Sequence, residues 1–196
     1  MSDAITLLKD SQAMLEGHFL LSSGLHSDRY FQCARLLQHP SRAAEALKPV
    51  AEQLKALMDS GELSIDLIVG PAMGGIIVAY ELARQLGLPA IFTERDDTGL
   101  MTLRRGFEVH KGQNILIAED VVTTGKSSLE SAKVLESFGA KVVALACVVD
   151  RRAEGVPTVW PLYPACKATV QTWDAASCPL CKEGSKPVKP GSRKVF

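Results

Sequence analysis

Apolar residues change their spacing several times along this chain, and each change predicts a different element. Over residues 4–16, Ile5, Leu8, Met14 and Leu15 form the apolar face of an amphipathic helix. Residues 19–21 and 30–33 read as short strands around a polar turn, 22–29. Pro40 suits the first turn of a helix running to about Met58, which Gly61 stops. Residues 65–69 read as a buried strand, and the turn 70–75 leads into a helix over 76–86. Further strands are predicted at 89–93, 115–118 and 141–149, with a helix over 128–138. Strands alternating with helices at this spacing predict an α/β fold with a central parallel sheet and right-handed crossovers. Ligands of such sheets bind beyond the carboxyl ends of the strands. Gly70, Glu119 and Asp150 are placed at that edge.

Length and charge narrow the picture. The chain has 196 residues, enough for one domain with a sizeable core. Its 22 basic and 22 acidic residues balance, so no global field recruits nucleic acid or an anionic membrane. The first twenty positions carry Asp3, Lys9, Asp10 and Glu16, which breaks any signal-peptide apolar core. The longest apolar run, 142–149, is too short to span a bilayer. Five cysteines without an export signal point to a reducing cytoplasm and free thiols.

The segment 114–127 carries the chemistry. An apolar run delivers the adjacent acids Glu119 and Asp120. Val121, Val122, Thr123, Thr124, Gly125, Lys126 and Ser127 follow as a small, hydroxyl-rich turn opening a helix. Strand, acidic pair, tight turn and helix place backbone amides and a helix N-terminus where a phosphate can sit. The acids suit sugar hydroxyls or a phosphate-bound magnesium ion. The bland alternative is a pair of acids that only end a strand and cap the next helix. Gly125-Lys126-Ser127 also imitates the end of a Walker A loop, but that motif needs glycine where Asp120 stands. A carboxylate there would repel the phosphates, so the P-loop reading fails. Residues 93–112 lack periodicity yet hold Arg95, Arg104, Arg105, His110 and Lys111. A loop so long in a compact domain suggests a cationic lid, with a solvated β-hairpin as the alternative.

This segment resembles the phosphate- and ribose-binding signature of the type I phosphoribosyltransferases. The run 17–31, with Phe19, Leu21, Ser23, Gly24, Tyr30 and Phe31, is similar to the hood segment of orotate phosphoribosyltransferases, and Asp150-Arg151 matches another family position. The resemblance covers roughly residues 15–155. It implies one phosphoribosyltransferase domain: a hood at about 1–40 and 155–196, a core at about 41–154, and a lid at about 94–112. The implied reaction moves ribose 5-phosphate from phosphoribosyl pyrophosphate to orotate, giving orotidine 5′-monophosphate and pyrophosphate, with Mg²⁺ carried by the pyrophosphate substrate. Glu119 and Asp120 would hold the ribose hydroxyls, and residues Val121 to Ser127 the 5-phosphate. Thr123 and Arg151 would contact orotate, with Tyr30 and Phe31 against its ring. Arg95 would open the lid, and Arg104 and Arg105 would supply its catalytic cations alongside Asp120. A cytoplasmic homodimer is implied, with no nucleic-acid or membrane partner. Two rivals remain: a transferase for a purine or other base, and a non-catalytic module that senses phosphoribosyl pyrophosphate.

The chain also departs from the family pattern. Ser22 stands where many members have lysine, Met73-Gly74 replaces a Tyr-Lys pair, and Asp96 replaces a lysine beside Arg95. Pyrophosphate would then rest more on magnesium and the main chain. At the C-terminus, Cys178-Pro179-Leu180-Cys181 has half the spacing of a zinc site, with Cys166 as a candidate third ligand. No histidine follows His110, so free thiols are the expectation. The tail 186–193 is read as disordered or laid across the hood. The histidines His18, His26 and His39 each read as ordinary structural residues, with His26, in the turn facing orotate, the first candidate of the three to touch ligand.

Overall fold

The computed structural model describes residues 3–21, 23–153 and 155–190. Ser22 and the last three residues of the tail 186–193 therefore lie outside the described residues. Helix α1 (Ala4–Asp10) opens on Asp3, whose carboxylate accepts the Thr6 amide at 2.7 Å. It ends sooner than its apolar spacing predicts. Gln12 takes φ 51°, and Gln32 donates its amide to Ala13 O at 2.7 Å, so the backbone is spent on a reversal. Met14 and Leu15 belong to strand β1 (Met14–Leu20), which pairs antiparallel with β2 (His26–Phe31). Cross-strand pairing overrides a helical spacing that continued only by coincidence.

Helix α2 (Ala34–Leu37) leads to α3 (Pro40–Asp59), which buries Ala43, Leu47, Val50 and Leu54 on one face. The chain then builds the main sheet. Strand β3 (Leu67–Pro71), helix α4 (Gly74–Leu86), β4 (Ala90–Arg95) and β5 (Met101–Thr102) come first. Strand β6 (Asn114–Val122), helix α5 (Lys126–Ser137), β7 (Lys141–Asp150) and β8 (Leu162–Lys167) complete it. The order is β5-β4-β3-β6-β7-β8, parallel throughout except for β5.

Alternate residues of the central strands serve two cores, as the period of a strand requires. Ile68, Leu116, Ala118, Ala144 and Ala146 pack with α1, α3 and α4. Leu67, Val69, Ile115, Ile117 and Leu145 pack with Ala132 and Leu135 of α5. Helices thus cover both faces, and the carboxyl ends of β3, β6 and β7 share one edge, where Val122 pairs with Asp150. β8 escapes the sequence reading because Pro164 interrupts it and its residues are half-buried, as an edge strand allows. Strand β9 (Thr172–Trp173) joins β1 and β2 in a small separate sheet, and α6 (Pro179–Lys182) follows. Val188 returns to bridge Phe19 of β1.

Candidate active site

The acidic pair lies within β6, which runs on to Val122 rather than ending at Ala118. Adjacent strand residues face opposite ways, and the two carboxylates diverge accordingly. Glu119 accepts the Ser128 hydroxyl at 2.8 Å and is 9% exposed. Burial pushes its carboxyl up to about 7, against the lowering effect of the Ser128 hydrogen bonds, and the nearby Asp120 charge adds to the rise. Asp120 is also raised by burial, while the Val121 amide donates to Oδ1 at 2.9 Å. Its carboxylate lies over Gly74, where a Cβ would fall 2.4 Å from Cγ and Oδ2. Gly74 therefore does more than lack a lysine. It lets the β3–α4 turn approach the acid, and any larger residue would displace one or the other.

Beyond Val122 the chain turns through Thr123 and Thr124 to Gly125, whose φ of 70° is left-handed. Gly125 is the N-cap of α5, and among the described residues no side chain caps that end. The first intrahelical bond to Gly125 O comes from Leu129, at 2.9 Å. The leading amides, with the positive end of the helix dipole, form a ready anion site. Glu119 does contact α5 through Ser128, so the capping alternative holds in part for this one acid.

The three arginines of residues 93–112 are all engaged with carboxylates. β4 and β5 pair as a hairpin, Glu94 with Thr102 and Arg95 with Met101, so residues 94–102 are not an open loop. Asp96 builds the hairpin turn by accepting the Thr98 and Leu100 amides at 2.9 and 3.0 Å, which gives a physical role to its presence beside Arg95. Arg95 bonds Glu130 of α5 and Gly99 O. Arg105 forks onto Glu94 at 2.7 and 3.0 Å, and Arg104 sits 4.0 Å from the same acid.

Past β7, a cavity of about 480 Å³ opens between Thr123, Arg151, Lys167, Thr169 and Thr172. Arg152 is spent on Asp150, with two contacts of 2.9 Å. Arg151 is different. Among the described residues its guanidinium makes no hydrogen bond or ion pair, and burial pulls its pKa below the ordinary arginine value. Tyr30 stands near Arg151, and its hydroxyl donates to Gln32 at 3.2 Å. Phe31 faces the other way. It is 8% exposed and packs in the larger core, so its expected place against a ligand ring is corrected. Lys167 and Thr169 line the cavity but were missed, because β8 was not legible.

Residues 36–163 match the family described as "Phosphoribosyl transferase domain". The chain is 45% identical over 191 residues to an orotate phosphoribosyltransferase of Caldicellulosiruptor saccharolyticus, an alignment covering 97% of this chain and 96% of that one. A crystal structure of orotate phosphoribosyltransferase from Aeropyrum pernix superposes with TM-score 0.68 at 29% identity, over 83% of this chain and 92% of the other. The Mycobacterium tuberculosis enzyme, crystallised with inorganic phosphate, gives TM-score 0.63 at 25% identity, over 84% and 94%. With the leading amides of α5, an acidic pair of which Glu119 is buried, and an arginine unpartnered among the described residues at one sheet edge, this chain belongs to the phosphoribosyltransferase family, in its orotate phosphoribosyltransferase branch.

Proposed function

We propose that the protein transfers ribose 5-phosphate from phosphoribosyl pyrophosphate to a ring nitrogen of orotate, releasing pyrophosphate and serving pyrimidine nucleotide synthesis. Arg151 carries this reading. A half-buried guanidinium without an anionic partner is costly unless an anion arrives, and its planar fork matches the orotate carboxylate. Thr123 links the cavity to the phosphate turn, so one loop touches both substrates.

In the reaction the bond from the anomeric carbon to the pyrophosphate oxygen breaks as the bond to the base nitrogen forms. Positive charge develops on the sugar and negative charge on the leaving group. The amides of residues 124–127 hold the 5-phosphate, and Glu119 and Asp120 hold the ribose hydroxyls. Fixing the sugar at two points aligns the anomeric carbon with the base. Arg95, Arg104 and Arg105 reach pyrophosphate by exchanging Glu130 and Glu94 for its oxygens, and the hairpin closes with them. The hard oxygen donors of Asp120 and the diphosphate would hold Mg²⁺, which would neutralise charge on the leaving group. The active form is a homodimer in the cytoplasm. Met73, Ile77 and Tyr80 make an exposed apolar stripe at helical spacing along α4 and its N-cap, suited to a second copy.

Substitution Arg151→Ala tests the reading. Followed by orotate absorbance, its kcat/KM for orotate should fall about a hundredfold, as expected when a charge-assisted fork is removed. Its KM for phosphoribosyl pyrophosphate should change little. Unchanged orotate kinetics would refute the assignment.

A further inference from the structure

His18, His26, Cys178 and Cys181 come together across the small sheet, although some 150 residues of sequence separate the histidines from the cysteines. Their ligand atoms all lie within 4.8 Å of one another. His18 Nε2 is 2.9 Å from His26 Nδ1, 3.5 Å from Cys178 Sγ and 3.8 Å from Cys181 Sγ. Cys181 Sγ is 3.3 Å from His26 Nδ1. A tetrahedral zinc with its usual bond lengths sets nitrogen–nitrogen edges of about 3.3 Å and nitrogen–sulfur edges of about 3.6 Å. These four edges scatter around those values, and the widest separation in the cluster, 4.8 Å, is the one a bound ion would draw in.

Local structure explains the convergence. Glu16 pairs with Arg29 and Phe19 with Ser27, so β1 holds one extra residue in a bulge that re-aims His18. His26 opens β2, opposite Trp173 of β9. The short helix α6 brings Cys178 and Cys181 to one side, and the tail beyond it is bonded to β1 through Val188 N to His18 O at 2.8 Å. His18 Nδ1 lies 3.1 Å from Ser185 Oγ. A ring proton donated there leaves Nε2 as a lone-pair donor, the outer-shell arrangement metal-binding histidines use. Cys178 is fully buried, and the two histidines are nearly so.

We infer that His18, His26, Cys178 and Cys181 form a closed tetrahedral site for a structural Zn²⁺ ion that fastens the C-terminal segment to the β1–β2 hairpin. Two thiolates and two neutral imidazoles cancel the charge of the ion, so a buried site carries no net charge. Sulfur donors exclude magnesium and calcium, and an S₂N₂ tetrahedron favours zinc. Four protein ligands leave no open position, so the ion is structural and takes no part in turnover. Cys166 is not a ligand, because its thiol donates to Val148 O at 3.4 Å. The inference stands apart from the proposed reaction.

Elemental analysis of the full-length protein, purified without chelator, should find about one zinc per chain. Cobalt exchanged into the site should give intense visible absorption and a thiolate-to-metal charge-transfer band. Cys178→Ser and Cys181→Ser should each lower bound metal at least about tenfold, whereas Cys166→Ser should retain it. Zinc-free protein that shows no charge-transfer band with cobalt would overturn the inference. So would a Cys178–Cys181 disulfide in the isolated protein, or full zinc content in the two serine variants. Where those variants do not accumulate, the cobalt spectrum of the unaltered protein decides alone.

Discussion

Glu119 and Arg151 show how single side chains carry the site's electrostatic tension. Burial raises the Glu119 carboxyl from 4.5 to about 7, so the folded state favours its protonated form. Its contribution to stability is complete below the unfolded value and is lost as pH rises through about 7, a difference of roughly 3 kcal/mol. Ligand-free protein should therefore melt at lower temperature as pH climbs from about 5 to about 8, and Glu119→Gln should flatten that decline. Identical melting profiles for the two proteins would show that Glu119 is not the group responsible. Much of this chemistry was legible in sequence, because an acidic pair followed by a small turn and a helix has few other uses. What sequence hid were the partners. Nothing in the order of residues reveals that Ser128 holds Glu119, that Glu94 holds Arg105, or that Gly74 makes room for Asp120. Phe31 was misplaced because two adjacent strand aromatics cannot face the same side.

Among the elements, the long buried strands and helices were legible and the short edge pieces were not. β3, β6 and β7 announce themselves by unbroken apolar runs that only a sheet covered on both faces can bury. β8 and β9 have half-buried or exposed residues, so no apolar run marks them, and the start of β1 was absorbed into a helix by a spacing accident although its end, from Phe19, was read as strand. The zinc candidate was hidden for a related reason. A CxxC pair was visible, but its histidine partners precede it by most of the chain, and only hairpin pairing aims them at it. Helix α4 raises a separate expectation. Met73, Ile77 and Tyr80 are 83%, 44% and 68% exposed, a large apolar stripe to leave in water. Ile77→Lys with Tyr80→Lys should halve the mass seen in sedimentation equilibrium while leaving the fold, read by circular dichroism, intact. A wild-type protein that already sediments as one chain would contradict the dimer.

Taken together, the two sheets divide the labour. The parallel sheet brings the turn after β6, the acids and Arg151 to one edge, and its two cores pack behind that edge. The small sheet contributes Tyr30 and Thr172 beside the cavity, and the proposed metal would fix it to the C-terminal segment. Fold and reaction class could be read from separated motifs because each needs a backbone feature as well as a side chain. On the proposed reaction, the base preference turns on Arg151 and the space before it. Purified wild-type protein with Mg²⁺ and phosphoribosyl pyrophosphate, offered orotate in one vessel and adenine in another, puts that preference to experiment. The prediction is release of pyrophosphate with orotate and none above background with adenine. Turnover of adenine at a comparable rate, or no turnover of orotate beside an active control enzyme, would contradict it.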